Sequence, residues 1–425
     1  METLLHPGSV WGQVSIPASK SQTIHALLIA LFSRSVSTIT NPLLCSDTRA
    51  CLDFCIKLGA VVRYSDNTMV VDSTALDPKD GLEIDCKSSG TTLYFATALS
   101  CTLGSGIRFT GDPSLLRRPV RPLLSSLHDL GADANPNAES APYNVCGPLL
   151  GGHTSIRCMT GQFLTALMLA APLAKGDTTI DVFLLREKSA VRTTEIWLEK
   201  EGIDFFRDED MNHYTFRGGQ SYRRLETDIN GDFSLAAVFF CAAAITASTI
   251  TVNHLDAKSS QADREILDIL SSMGCLVRSD GHSVTLTGPS RLKAVDIDMS
   301  GIPDLLPALA VTSCFASGPV RLENVPHNLS RGTKERSSVI ASNINAMGGQ
   351  AQLLKDSMVI YPIHAFRNDC CVLGFGDPRI VMAMALASLR CTGNLSIGGS
   401  ECVEELYPGF FEIFRSVTTE NGFLF

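Results

Sequence analysis

The stretch "LAAVFFCAAAITASTITVN", residues 235–253, sets an unbroken apolar run directly before one rich in β-branched residues. A helix that is apolar on every side has no solvent face, so it belongs inside a core. The Thr-Ile-Thr-Val that follows has the period-two pattern of a strand with one face buried. The same succession returns five more times. The apolar runs "HALLIALF", "LYFATALSC", "FLTALMLAAPLA", "LLPALAVTSCF" and "VMAMALASL" precede the strand-like phrases "SRSVSTITN", "GSGIRFTG", "KGDTTIDV", "ASGPVRLEN" and "CTGNLSIG". The six phrases begin near residues 33, 104, 175, 246, 316 and 391, a period of about 70 to 75 residues that marks an internal repeat. Five copies continue into a second helix closing on Gly, in "IKLGA", "LHDLGA", "LEKEGI", "SSMGC" and "NAMGG". Gly suits the left-handed residue that ends a helix. Each copy therefore reads as helix, strand, helix, strand, with further strands around the next turn. Three copies around buried helices form one domain, and six form two pseudo-symmetric domains.

A chain of 425 residues exceeds one ordinary core, so two domains of about 200 residues are expected. Its composition, 45% hydrophobic and 19% charged, is that of a soluble globular protein. No apolar run reaches the roughly 18 residues of a membrane span. The opening "METLLHPGSVWGQ" has neither a basic nor an apolar leader segment, so no secretory signal is expected. The net charge of −9 comes without a basic block, which argues against a nucleic-acid partner but leaves room for a locally basic site holding a small anion. The 14 cysteines lack CxxC pairs, and only Cys51 with Cys55 and Cys370 with Cys371 lie close in sequence. They read as buried free thiols of a reducing cytoplasm.

Dinucleotide and mononucleotide folds lack their signatures, since no GxGxxG joins a strand to a helix and no GxxxxGK[ST] is present. A different anion site is suggested by "IPASKSQTIHALLIALF", residues 16–32. Lys20 and Ser21 open an apolar helix, where backbone N–H groups face outward and attract anions. His25 follows one turn later. Alone, the stretch is equally a capped helix start.

The sixfold repeat with "SKS" opening the first helix resembles the enolpyruvyl transferase family, and within it the EPSP synthase branch, over essentially the whole chain. The resemblance implies a two-domain inside-out α/β barrel of six βαβαββ-type units, three per domain. Residues 1–18 with 229–425 would form one domain and 19–228 the other, with the active site in the interdomain cleft. It also implies transfer of the enolpyruvyl group of phosphoenolpyruvate (PEP) to shikimate 3-phosphate with release of phosphate; an enolpyruvyl transferase with a different hydroxyl acceptor and a non-catalytic binding homologue are the alternatives. No metal or organic cofactor, nucleic acid or membrane would be involved, and the protein would be a cytoplasmic monomer.

The ordered motifs carry residue roles by the same resemblance. "PASKSQT" implies that Lys20 binds PEP and takes part in catalysis, and that both Lys20 and Ser21 meet the acceptor. "SSGTTLY" implies close approach of PEP to Gly90, and "GDPSLLRRPVRPL" puts Arg118 on PEP. "MTGQFLTALMLAAPLA" implies Thr160 and Gly161 on the acceptor and Gln162 near both substrates. "SGIPDLLPALA" makes Asp304 the carboxylate that meets the reacting hydroxyl and accepts its proton. In "PHNLSRGTKERSS", Asn328 and Lys334 would serve the acceptor, Glu335 would be a second acid or base, and Arg336 would hold PEP. Arg379 of "GDPRIVMAMAL" would also hold PEP. "NGDFSLAAVFF" resembles the segment that re-enters the first-named domain, where Asp232 reads as a helix cap or hinge residue rather than a catalyst.

Several positions depart from the family pattern. His25 stands in place of an Arg gripping the acceptor carboxylate and is expected to face that carboxylate, with binding that improves as pH falls towards 6. Tyr94 replaces an Arg, Gly161 a Ser, Pro378 a His and Glu405 a PEP-binding Lys. In the poorly matching "LLREKSAVRTTEIWL", Ser189 is the expected contact to the acceptor phosphate, and Arg192 the compensating cation.

Overall fold

The structure, a computed structural model, describes residues 1–325, 335–368 and 370–419, apart from the side chain of Ser189. The six apolar runs form the helices Lys20–Phe32, Gly90–Ser100, Gly161–Ala170, Phe233–Ile245, Leu306–Ser313 and Pro378–Ser388. Gly90–Ser100, Phe233–Ile245 and Pro378–Ser388 are buried at every residue, as sequences without a polar face require. Burying each of Phe233, Phe239 and Phe240 contributes on the order of 2 kcal/mol.

Four of the six core helices connect two parallel neighbours in a sheet, the crossover that parallel pairing demands. Leu82–Asp85 pairs with Ile107–Thr110, Gly152–Cys158 with Thr178–Leu185, Ile297–Asp298 with Val320–Glu323, and Cys371–Leu373 with Leu395–Gly398. In the other two sheets the parallel partner comes from far along the chain. Thr249–Asn253 takes Ser9–Ser15, and Val36–Thr40 takes Glu226–Asp228. Five of the six sheets are completed by an antiparallel hairpin after the second helix, and in the sixth Leu395–Gly398 pairs instead with Glu2–Leu5. The five glycines expected to end second helices, Gly59, Gly131, Gly202, Gly274 and Gly348, all have φ between +70° and +104°.

The chain divides into two compact units, Met1–Pro17 with Asn230–Phe425, and Ala18–Ile229. In the second of these, Gly90–Ser100 packs against Lys20–Phe32 and Gly161–Ala170, with the Tyr94 ring edge-on to Phe163 at 5.0 Å. In the first, Phe233–Ile245, Leu306–Ser313 and Pro378–Ser388 pack against one another pairwise. Strands alternate between buried and more exposed residues. On the outer face of Thr249–Asn253, Thr249 and Thr251 share hydroxyl hydrogen bonds with Thr287 and Thr285, both at 2.9 Å.

All 14 cysteines are free thiols, and burial pushes Cys86 and Cys241 up to about 12. No described helix is long and apolar enough to cross a membrane.

Candidate functional site

In both units the chemistry collects where a strand hands over to a core helix, because the first turn of a helix presents unused N–H groups and the positive end of its dipole. Within Ala18–Ile229, Lys20 is the first residue of its helix. Its Nζ donates to Asp47 Oδ2 at 2.5 Å, and both side chains are largely shielded. The Asp47 carbonyl accepts from Thr92 Oγ1 at 3.2 Å, which ties this pair to the turn containing Gly90. That turn is capped by Ser89, whose Oγ accepts from the Thr92 N–H. A Cβ on Gly90 would collide with the Arg118 guanidinium, so the absent side chain is what seats Arg118 there. Gln162 Nε2 donates to Thr91 Oγ1 at 3.0 Å, which brings the start of the third core helix to the same turn. Tyr94 is buried and donates to the Pro119 carbonyl at 3.2 Å. Burial pushes its hydroxyl up to about 12, against the pull of Arg118 and with a further push from Glu187.

One expectation is corrected here. His25 does not face a ligand carboxylate, for it is 1% exposed and lies among core helices. Its Nδ1–H donates to the Ser21 carbonyl at 2.8 Å, and its Nε2 meets Thr194 Oγ1 at 3.0 Å. Trp197 stacks on the ring, and Phe95 meets it edge-on. Burial lowers its pKa to about 4, so it is neutral at pH 7. The expected rise in acceptor binding towards pH 6 therefore has no source in this ring. Arg192 is half-exposed, and its Nη1 meets Glu195 Oε2 at 3.4 Å.

Thr160 and Gly161 are engaged by a residue that sequence reasoning passed over. Glu187 Oε2 accepts from Thr160 Oγ1 at 2.8 Å and from the Gly161 N–H at 3.1 Å. Ser21 is exposed at the start of its helix. Ser189 lies on the helix Lys188–Glu201, with its side chain outside the described residues.

The other unit holds a buried charge cluster. Arg336, the first residue of the helix Arg336–Ala346, donates through Nε to Asp377 Oδ2 at 2.7 Å and through Nη1 to Asp304 Oδ1 at 2.8 Å. Arg379 Nη2 meets the second Asp304 oxygen at 2.7 Å and Ser234 Oγ at 3.0 Å. Asp377 has two tasks, since its Oδ1 also caps the last core helix by accepting from the Arg379 N–H. Asp232 caps its own helix through the Ser234 N–H, as expected. Burial alone would weaken Arg336 as a cation. Asp377 and then Asp304 outweigh that and hold it above its ordinary value. Asp263 is pushed well above the usual carboxylate range by burial and by the charges of Asp304 and Asp232. Glu335 is the N-cap residue of the Arg336 helix, and Glu405 lies exposed at the end of Ser400–Glu405. Asn328 and Lys334 lie outside the described residues.

Asp47, Ser234, Asp263, Asp377 and Glu187 were not among the expected site residues. Asp377 had a visible signal, the Asp-Pro of a helix start. Among the described residues, no group of three or more His, Cys, Asp or Glu is arranged to hold a metal ion. The arrangement sets guanidinium and ammonium groups beside carboxylates, the residue types that anion binding and proton transfer call on.

Residues 5–414 match the family described as EPSP synthase (3-phosphoshikimate 1-carboxyvinyltransferase). The 3-phosphoshikimate 1-carboxyvinyltransferase of Ruminiclostridium cellulolyticum is 36% identical over 408 residues, 95% of this chain and 96% of that protein. The protein of the same name from Acetivibrio thermocellus is 37% identical over 403 residues, 94% of each chain. An EPSP synthase structure from Acinetobacter baumannii superimposes with a TM-score of 0.85 at 21% identity, covering 98% of both chains, a likeness of fold.

Proposed function

The chain belongs to the EPSP synthase (3-phosphoshikimate 1-carboxyvinyltransferase) family, and from that membership we propose that it transfers the enolpyruvyl group of PEP to the 5-hydroxyl of shikimate 3-phosphate. The product is the enolpyruvyl ether, with inorganic phosphate released, a step of aromatic amino-acid biosynthesis. Lys20, Arg118, Arg336 and Arg379 bind the carboxylate and phosphate of PEP, with Gly90 and Gln162 shaping its seat. Ser21, Thr160, Gly161 and Gln162, together with Asn328 and Lys334, take the acceptor.

Protonation of the PEP methylene makes its C2 electrophilic. The acceptor hydroxyl attacks that carbon and gives its proton to Asp304, whose two oxygens are oriented by Arg336 and Arg379. Loss of phosphate from the tetrahedral ketal, with removal of a methyl proton, restores the vinyl group. Lys20 and Glu335 are the groups assigned to that proton's delivery and return.

The observation that carries this assignment is the state of Arg336. It is 2% exposed and firmly charged, yet its Nη2 has no hydrogen-bond acceptor among the described residues. A buried donor without a partner costs about 1–3 kcal/mol, and an anionic substrate oxygen supplies the partner. We read each unit as an inside-out barrel of three repeats, and the protein as a cytoplasmic monomer. The wholly buried helices support the barrel reading, and the free thiols the cytoplasmic one.

Purified protein given PEP and shikimate 3-phosphate should release phosphate and form the vinyl ether. Asp304→Ala should lower kcat by about 10²-fold or more while the far-ultraviolet circular dichroism stays that of the wild type. Activity near wild type in that variant would remove Asp304 from the mechanism.

A further inference from the structure

We infer that Glu187 is a specificity-determining residue, an internal carboxylate that occupies the seat of the acceptor's phosphate and must swing out before a phosphorylated acceptor binds. The inference rests on the transferase function proposed above. Thr160 O–H and Gly161 N–H, the donors assigned to the acceptor, both already donate to the single oxygen Oε2 of Glu187. A helix N-terminus prefers an anion, and the chain supplies one from its own sequence.

The local backbone is shaped for this contact. Glu187 has φ 57° and ψ 47°, a left-handed conformation uncommon for a residue with a side chain, at a helix N-cap where extended angles are usual. A Cβ on Gly161 would stand 2.9 Å from the Glu187 carbonyl oxygen and 3.1 Å from that of Arg186. Glycine at 161 is therefore what lets this turn close over the helix start. Two of the neighbouring cations are directed elsewhere, Lys188 Nζ to the Asp210 carbonyl and Arg192 to Glu195. A phosphate arriving at Thr160 thus meets a carboxylate first. A phosphate monoester brings more charge and three acceptor oxygens, so it can take over both donors once Glu187 has moved. The exchange makes acceptor affinity depend on Glu187 while leaving the PEP residues untouched.

The test is titration calorimetry of shikimate 3-phosphate, and separately of inorganic phosphate, into the full-length wild type, Glu187→Gln and Glu187→Ala. Steady-state kinetics would be measured on the same proteins. Glu187→Ala should bind shikimate 3-phosphate about tenfold tighter, with Glu187→Gln between it and wild type, because a like charge has been removed. The acceptor KM should fall, kcat at saturation should hold, and PEP affinity should stay within about twofold. Adding Thr160→Val to Glu187→Ala should take the gain away. Unchanged or weaker acceptor binding in both variants, with wild-type circular dichroism and melting, overturns the inference. Two further outcomes separate it from the proposed function. Normal wild-type turnover with an acceptor KM insensitive to Glu187 sinks the inference alone. Tighter shikimate 3-phosphate binding in Glu187→Ala, without turnover in any of the proteins, sinks the transferase reading alone.

Discussion

A methyl group on Gly90 would take the space now filled by the Arg118 guanidinium. The obstructed atoms are the far end of a flexible side chain, so Gly90→Ala should fold normally and push Arg118 out of its seat. The expected outcome is a PEP KM raised about tenfold with melting little changed, measured by steady-state kinetics and calorimetry. His25 makes the opposite case, a residue whose chemistry is governed by packing. Its folded pKa of about 4 lies below the unfolded 6.5, so the unfolded chain binds the proton more readily between those values. Stability from the neutral ring is complete above pH 6.5 and is lost as pH falls to about 4. That amounts to about 3 kcal/mol relative to a His25→Phe variant, checked by denaturant unfolding of both proteins across that range. His25→Arg should bury an unpaired cation, lose about 3–5 kcal/mol and bind the acceptor no tighter. Lys20 was legible, as the start of a helix, because the apolar run after it marks that helix. His25 was not, because Thr194, which closes its second ring nitrogen, is 169 residues away.

Helix starts in this protein combine capping with the positions proposed for ligand binding. Ser89, Thr160, Asp232 and Asp377 each accept a hydrogen bond from their own helix's first turn, and a proposed ligand residue or its anchor stands within two residues of each cap. Asp377 shows how the two tasks separate. Asn caps as well as Asp, so Asp377→Asn should keep the helix start and lose the charge that balances Arg336. A loss of about 3 kcal/mol in denaturant unfolding is expected, with PEP binding much weakened in calorimetry. Asp377→Ala should cost about 1 kcal/mol more through the lost cap. The caps and the helix-ending glycines could be read from the sequence, since each is a local pattern. The second task of Asp377 could not, because Arg336 lies 41 residues earlier and only the sheet-and-helix packing joins them.

At the scale of the whole molecule, Ala18–Ile229 is continuous in sequence and has its own core, including the strand Glu226–Asp228 that completes its first sheet. Residues 18–229 expressed alone should unfold in one cooperative transition, followed by circular dichroism. They should release no phosphate from PEP, since Asp304, Arg336 and Arg379 are absent. The other unit depends on Ser9–Ser15, a strand bonded on both sides, to Thr249–Asn253 and to Thr418–Thr419. Removing residues 1–17 should therefore unfold that unit, unlike the trimming of a loose terminus. By itself the sequence determined the repeat, the buried character of the core helices and the glycines that end the second helices. Each of those depends on composition and spacing within about 70 residues. Only the tertiary structure decided which distant strands complete the first sheets, that His25 is neutral, and that Glu187 sits on Thr160 and Gly161. These follow from distances between residues far apart along the chain, which no local pattern encodes.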